Sequence, residues 1–472
     1  MSRAADASSE PDSRPHVVVI GAYGSAGVAV ADRLAGRAEV TMVDDGEPGG
    51  GLCILRGCMP SKEVLSAGAH RFQARHDERL EAPPTVDTEA VVERKNEHTA
   101  DFASHRRAAV HELAERDGVE FVHDTARLVD DTTVAVGDRH VDADYVVIAT
   151  GSRVNLPDLP GMESVTPRTS ADVLDATSFP DTAIVMGFGY IGVELVPYLS
   201  EVGDVSLTVV EHDERPLGEA DPVFGDALLE VYEQQFDVRV LRETREQRVE
   251  ATDGGVRLHT DHPRHGTVDA EALYAFTGRR PALDGLGLET TSLDPGPDWV
   301  EPTMQAADSE RVFVAGDANG REPILHVAKE EGHRAAENVL AHHHDEELTP
   351  YENVHHHVIF AGLGVYPFVR VGHTAETARD AGHDPVVVTR RARDDGVFQT
   401  KDVPEGLARL VAARDGTVLG YQGLHYHADA MAKFAHLLVS QEFDVREVPD
   451  RSYHPTTTEI VDGLLREASA EL

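Results

Sequence analysis

The sequence predicts an α/β protein with two Rossmann-like dinucleotide-binding domains followed by a C-terminal α+β domain, and three observations predict it. A short β-branched run, HVVVI (16–20), leads into the glycine-rich GAYGSAG (21–27), a stretch of helical spacing and a second strand, EVTMVDD (39–45), that ends in acid. TAIVMGFGYIGVEL (182–195) and VSLTVVE (205–211) repeat that order. From residue 350 the texture changes to strands and two helices. A chain of 472 residues has room for about two to four domains with packed cores.

Taken in order, the first fifteen residues, MSRAADASSEPDSRP, are polar and read as a disordered tail rather than a signal peptide. In the first βαβ unit Gly21, Gly24 and Gly27 would let the backbone approach a pyrophosphate seated at a helix N-terminus, and Asp44 can accept hydrogen bonds from a ribose 2′-OH. Their spacing, GxxGxxG, is one residue longer than GxGxxG, so an ordinary strand-to-helix turn is the alternative.

The stretch GGGLCILRGCMPSK (49–62) holds Cys53 and Cys58, the only two cysteines of the chain. Five residues of regular helix rise roughly 7.5 Å, more than the ~4.4–6.8 Å a disulfide tolerates between Cα atoms. A bond between them therefore needs an opened turn; Gly57 would permit an unusual backbone there, and Pro60 fixes the exit. A disulfide across so short a loop removes little unfolded-state entropy, so redox chemistry explains the pair better than a structural staple does. Two buried thiols or half of a zinc site are the alternatives, and no second Cys/His pair stands at zinc-finger spacing.

Residues 63–118 are helical in pattern and highly charged, with a loop at Ala82-Pro83-Pro84, and FVHDTARLV and TTVAVG then alternate as in a meander of strands. DYVVIATGSR (144–153) is a buried strand running into a Thr-Gly turn, and proline-rich sequence marks a boundary over 153–168. In the second βαβ unit the fingerprint is regular: Gly187, Gly189 and Gly192, followed by Glu194. Glu211 at the end of the next strand can pair with a free 2′-OH but would repel a 2′-phosphate, which favours NAD over NADP. LYAFTGRRP (273–281) and RVFVAGDANG (311–320) are strands ending at glycine turns; Asp317 can take a ligand hydroxyl or simply shape the turn.

In SYHPTTTEIVDGLLR (452–466) the capping-box spacing of Thr456 and Glu459 predicts a helix start, with His454 just outside it and Glu459 in its first turn. A carboxylate so placed can orient an imidazole as a general base, the alternative being an exposed histidine beside an ordinary cap. The runs His342–His344 and His355–His357 invite a metal reading, but neighbouring side chains on a strand face opposite ways, so no metal site is expected there.

The net charge of −41 comes from 84 acidic against 43 basic residues, only five of them lysine. Such a surface repels phosphate, which argues against nucleic acid as a partner. Acid spread along the whole chain fits a very salty cytoplasm, where a Debye length of roughly 3 Å at molar salt screens the self-repulsion. No apolar run approaches the ~18–20 residues of a membrane-spanning helix, so a soluble cytoplasmic protein is expected, in a compartment where a disulfide is more often catalytic than structural.

GGGLCILRGCMPSK, ATGS, GFGYIGVE, TGRRP, AGD and HPTTTE, in that order, resemble the FAD-dependent pyridine nucleotide-disulfide oxidoreductases of the lipoamide dehydrogenase, glutathione reductase and mercuric reductase group, from about His16 to Leu465. The resemblance implies a tail (1–15), an FAD domain (16–152), an NAD domain (153–275), a return to the FAD domain (276–348) and a dimer-interface domain (349–472). It implies that Cys53 is the thiol facing the substrate and Cys58 the one beside the flavin. Lys62 would pair with Glu194 near the flavin, and Asp317 would hold the ribityl chain. Thr150, Gly151 and Gly278, from the ATGS and TGRRP motifs, join the cofactor-binding set. His454 and Glu459 would be supplied by the other subunit of a homodimer.

The implied reaction is oxidation of dihydrolipoamide, free or on a lipoyl domain of a 2-oxoacid dehydrogenase complex, with FAD and NAD as cofactors. The alternatives are an NAD(P)H-dependent reductase of a small disulfide of the γ-glutamylcysteine type, a mercuric reductase, and a non-catalytic flavoprotein subunit of a complex. The extra C-terminal cysteine pair of mercuric reductases is missing. Ser452 stands where lipoamide dehydrogenases usually carry a histidine, and Leu52 where Thr commonly precedes the first cysteine. ILRG replaces the usual NVG, and an insertion precedes YPFVRVG (366–372), which leaves the substrate open.

Overall fold

The computed structural model describes residues 14–472, so all but the last two residues of the expected tail lie outside the described residues. Two compact units emerge: one runs to Met59 and takes in Glu97–Arg153 and Arg279–Asn353, the other comprises Pro60–Asn96, Val154–Gly278 and Val354–Leu472.

The first unit is built on a five-stranded sheet in the order Val312–Val314, Tyr145–Ile148, His16–Ile20, Glu39–Asp44, Val119–His123, parallel throughout. Val17, Val18, Val19, Val146 and Val147 are all buried, as expected of strands covered on both faces. The segment expected to open a meander divides instead at Asp124. Val119–His123 extends the parallel sheet beside Glu39–Asp44, and only Ala126–Leu128 joins Thr133–Val136 and Arg139–Asp142 in an antiparallel sheet. Alternation alone cannot tell these apart; Phe121 and Val122 are partly covered, which suits an edge strand.

In the second unit, Val238–Leu241, Ser206–Val210, Thr182–Met186 and Ala272–Ala275 form a four-stranded parallel sheet. Helix Tyr190–Glu201 follows the central strand, with Val193, Val196 and Leu199 buried. Residues beyond Val354 form a five-stranded antiparallel sheet in the order His356–Ile359, Phe368–Gly372, Val418–Leu424, Leu407–Ala412, Val386–Arg391. Helices Ala428–Ser440 and Glu459–Glu471 pack on it through residues such as Met431, Ala435, Ile460 and Leu464. Phe434 and Leu437 point away from that core and are 41% and 48% exposed. No helix among the described residues is long and apolar enough to cross a membrane.

Candidate active site

The cysteine stretch starts at Gly51, whose φ of 77° suits glycine alone, and makes one helical turn, Leu52–Leu55. Arg56, at φ −142°, breaks the helix, and a second helix, Cys58–His76, begins at the other cysteine. The turn between the cysteines is thus open. Gly57 serves differently from expectation: its φ is not positive, but a Cβ there would sit 3.0 Å from Cys53 Cα, so its value is close approach. Cys53 is partly buried and Cys58 exposed. As the first residue of a 19-residue helix, Cys58 occupies the position where the helix dipole favours an anion.

The stretch is packed on the first glycine turn. A Cβ at Gly49 would meet the Tyr23 ring at 2.2 Å, and one at Gly51 would meet Tyr23 O at 2.9 Å. Arg106 Nη1 donates to Tyr23 O at 3.0 Å and Arg107 Nη1 to Gly49 O at 2.9 Å, so two guanidinium groups clamp the region. Burial pulls the Arg106 pKa down, partly offset by its electrostatic interaction with Cys53. Sequence reasoning missed Arg106, which lies inside a charged helical segment with no local signal to single it out.

The first turn has the shape a dinucleotide needs. Gly21 has φ 100°, and a Cβ at Gly27 would fall 2.1 Å from Gly21 O, which only glycine avoids; Gly24 is the helix N-cap. Asp44 Oδ2 accepts Tyr23 N and Oδ1 accepts Gly46 N, each at 2.8 Å, which aims the carboxylate at the turn. Burial raises its pKa despite those amides. Thr150 Oγ1 is buried without a hydrogen-bond partner, and beside it Gly151, at φ 72°, has open space where a Cβ would be. An orphaned hydroxyl next to such a turn fits a bound polar cofactor.

Asp317 lies in the short Gly316–Asn319 turn and accepts Ser152 Oγ at 2.5 Å. Arg279 Nε donates in turn to Ser152 Oγ at 2.9 Å, and Nη2 to Ser152 O at 2.6 Å. Ser152 and Arg279 were not singled out from the sequence, although each adjoins a residue that was.

In the second unit the regular fingerprint is realised. Gly187 has φ 91°, and a Cβ at Gly192 would lie 2.7 Å from Gly187 O. Nothing stands within 4 Å of a Cβ at Gly189, which leaves the approach to the helix N-terminus clear. Glu211 accepts Phe188 N at 3.1 Å and Asp213 N at 2.9 Å, and burial raises its pKa. Gly278, at φ 84°, turns the chain after Thr277. Lys62 Nζ meets Glu194 Oε1 and Oε2 at 2.8 and 2.7 Å and lies 4.6 Å from the Phe360 ring centre. Glu194 also accepts Phe360 N at 3.1 Å, so this pair is held by backbone as well as charge.

His454 Nδ1 lies 3.0 and 3.2 Å from the two oxygens of Glu459, with the imidazole 80% exposed. The helix begins later than the capping box predicts: Thr458 is the N-cap and Glu459 the first residue of Glu459–Glu471. Half of the box survives, since Glu459 Oε1 accepts Thr456 N at 3.0 Å, but the Thr456 hydroxyl pairs with Thr458 instead. Although burial opposes it, the hydrogen bonds from His454 and Thr456 N keep the Glu459 carboxyl low and ionised. Glu459 can therefore accept the Nδ1 proton and leave Nε2 with its lone pair outward. Cys53, Cys58 and the first nucleotide turn thus share the first unit, and Lys62, Glu194, the second turn and the His454–Glu459 pair the second.

Comparison with known proteins fits this geometry. The family model described as pyridine nucleotide-disulphide oxidoreductase matches residues 15–332, and that of its dimerisation domain matches 363–464. The dihydrolipoyl dehydrogenase 2 of Haloarcula marismortui is 29% identical over 96% of this chain and 97% of its own. A mercuric reductase of Bacillus cereus is 27% identical over 68% of this chain, which spans about half (51%) of that relative's length. Among solved structures, the HOCl-induced flavoprotein disulfide reductase RclA from Escherichia coli has a TM-score of 0.80 at 21% identity, covering 96% of this chain and 99% of its own. LpdA from Mycobacterium tuberculosis has a TM-score of 0.81 at 22% identity, with 96% and 99% covered.

Proposed function

The chain belongs to the pyridine nucleotide-disulphide oxidoreductase family, and on that premise we propose that this flavoprotein enzyme, whose cofactors are FAD and a nicotinamide dinucleotide, oxidises dihydrolipoamide with NAD through Cys53 and Cys58. One observation carries the proposal. The only two cysteines flank an opened turn packed directly on the first nucleotide turn, so a thiol pair sits where a flavin dinucleotide would be bound. Gly21, Gly24, Gly27, Asp44, Thr150, Gly151 and Asp317 would hold FAD, which supplies a two-electron acceptor beside the pair. Gly187, Gly189, Gly192, Gly278 and Glu211 would hold the nicotinamide dinucleotide. Lys62 and Glu194 form a fixed ion pair in the first turns of their respective helices.

His454 acts as the base. With Glu459 holding Nδ1, Nε2 takes the proton of a substrate thiol, an effect typically worth ~10²–10⁴-fold. The thiolate attacks Cys53 Sγ of the oxidised pair, the Cys53–Cys58 bond breaks, and Cys58 leaves as a thiolate favoured by its helix N-terminus. The second substrate thiol then attacks the mixed disulfide, which forms the substrate's own disulfide and releases Cys53; two electrons have passed from substrate to the pair. The family's dimerisation domain and the exposed Phe434 and Leu437 support a homodimer in which His454 serves the partner's cysteines. The relation to a full-length dihydrolipoyl dehydrogenase supports a lipoyl-bearing substrate, and Glu211 supports NAD over NADP.

Steady-state kinetics of the FAD-loaded protein in molar KCl test this reading. NAD and NADP are paired with dihydrolipoamide, and NADH and NADPH with small disulfides. Rapid NAD reduction by dihydrolipoamide is expected. NADPH-driven reduction of a small disulfide, with no lipoamide turnover, would overturn both the substrate and the role of Glu211.

A further inference from the structure

Away from the thiols, the second unit gathers donors from well-separated parts of the chain. His355, just before strand His356–Ile359, and His357 within it both turn toward one carboxylate. His356 turns the other way, with Nδ1 on Val354 O at 2.6 Å and its ring against His436. The alternation that argues against three adjacent ligands therefore leaves two on one side. The third donor is Glu219, from the loop before helix Pro222–Gln235. Its Oε2 lies 3.3 Å from His355 Nε2 and 3.0 Å from His357 Nδ1, and one ligand atom from each of the three residues lies within 4.8 Å of the others.

Four donors set at ~2.0–2.1 Å around a tetrahedral ion are about 3.3 Å apart. Two edges of the Glu219–His355–His357 triangle, 3.3 and 3.0 Å, are already close to that length. We propose that Glu219, His355 and His357 bind one borderline divalent transition-metal ion of the zinc class, with a position left open beside the Tyr190 hydroxyl.

The donor set selects the ion. Two imidazoles and one carboxylate suit zinc, nickel or copper, whereas calcium and magnesium want oxygen throughout. The Tyr190 hydroxyl, 2.9 Å from His357 Nδ1, can complete the coordination or hydrogen-bond a metal-bound water. Part of the site is preformed: Arg370, paired in register with His357 on the neighbouring strand, donates to the backbone carbonyl of Glu219 and anchors that loop. A side chain of His357 that is only 10% exposed limits competition from water.

The test uses chelator-treated, FAD-loaded enzyme in its oxidised form, so that Cys53 and Cys58 do not compete, in molar KCl. Zinc(II) is titrated by calorimetry and cobalt(II) by visible absorption. The expected result is one tight zinc ion per chain and cobalt bands of four- or five-coordinate intensity. His357→Ala and, separately, the surface change Glu219→Gln should each weaken zinc by at least about 10–100-fold, with flavin absorbance confirming that each variant is folded. Absence of a one-to-one event, or an affinity unchanged in either variant, overturns the site and assigns any bound ion to other surface groups.

Discussion

Replacing Glu459 by Gln separates orientation from basicity at the proposed catalytic pair. In the parent, both carboxylate oxygens lie within 3.2 Å of His454 Nδ1, and Oε1 also takes Thr456 N. A glutamine keeps the shape but has one acceptor for those two donors. When its carbonyl serves Thr456, its NH₂ faces Nδ1 and biases the imidazole toward the tautomer protonated at Nε2, which lacks the lone pair that the mechanism uses. A hydrogen bond to a charged acceptor is worth about 1.5–3 kcal/mol and a neutral one about 0.5–1.5. The difference of about 1–1.5 kcal/mol corresponds to a loss of about 5–13-fold in rate. The His454 side chain is 80% exposed, which places the expectation at the lower end. His454→Gln, which removes the base, should cost ~10²–10⁴-fold. The assay is kcat/KM for NAD reduction by dihydrolipoamide, with electron transfer from NADH to ferricyanide, which bypasses the thiols, as a check on folding and flavin content. A Glu459→Gln enzyme equal to the parent, together with an active His454→Gln enzyme, would refute the assignment of this pair.

Glu331 is 2% exposed, and burial pushes its carboxyl up to about 7, against 4.5 for an ordinary glutamate. Its folded-state pKa is the higher one, so its contribution to stability is complete below about 4.5 and is lost as pH rises through about 7. Thermal melts of Glu331→Gln should therefore gain on the parent between pH 5 and 8, by roughly 2–3 kcal/mol at the alkaline end; parallel curves would contradict this. With a net charge of −41, the protein should lose thermal stability on transfer from molar to 0.1 M KCl, and a flat melting temperature would show that self-repulsion is unimportant. Glu211→Ala should lower the NAD/NADP ratio of kcat/KM by about tenfold, the worth of one or two lost hydrogen bonds; an unchanged ratio places cofactor choice elsewhere. Leu437→Asp, on the exposed face beside Phe434, should convert the proposed dimer to monomer by light scattering and abolish dithiol turnover while FAD stays bound. A fully active monomer would remove the need for a partner's His454.

What the sequence by itself determined is what short stretches can encode. Val17–Val19 and Val146–Val147 read as strands buried on both faces because every side chain is apolar. The glycine turns read as nucleotide turns because Gly27 and Gly192 must pass close to the carbonyls of Gly21 and Gly187 a few positions away, whereas Gly21 and Gly187 themselves are pressed by the backbone of Ala149 and Phe276, which only the fold brings there. The cysteine spacing demanded an opened turn, and Arg56 provides it. The family followed from the order of such motifs. Tertiary structure alone decided whatever depends on which distant segments meet. It put Val119–His123 into the parallel sheet and moved a helix start from Thr456 to Thr458, where competing hydrogen bonds changed the cap. It brought Arg106 beside the cysteine stretch, linked Arg279 through Ser152 to Asp317, and set Glu219 against two histidines more than a hundred residues away. A turn or a buried strand is a property of neighbours along the chain, whereas a charge cluster is a property of the packed topology, and no local pattern of residues records it.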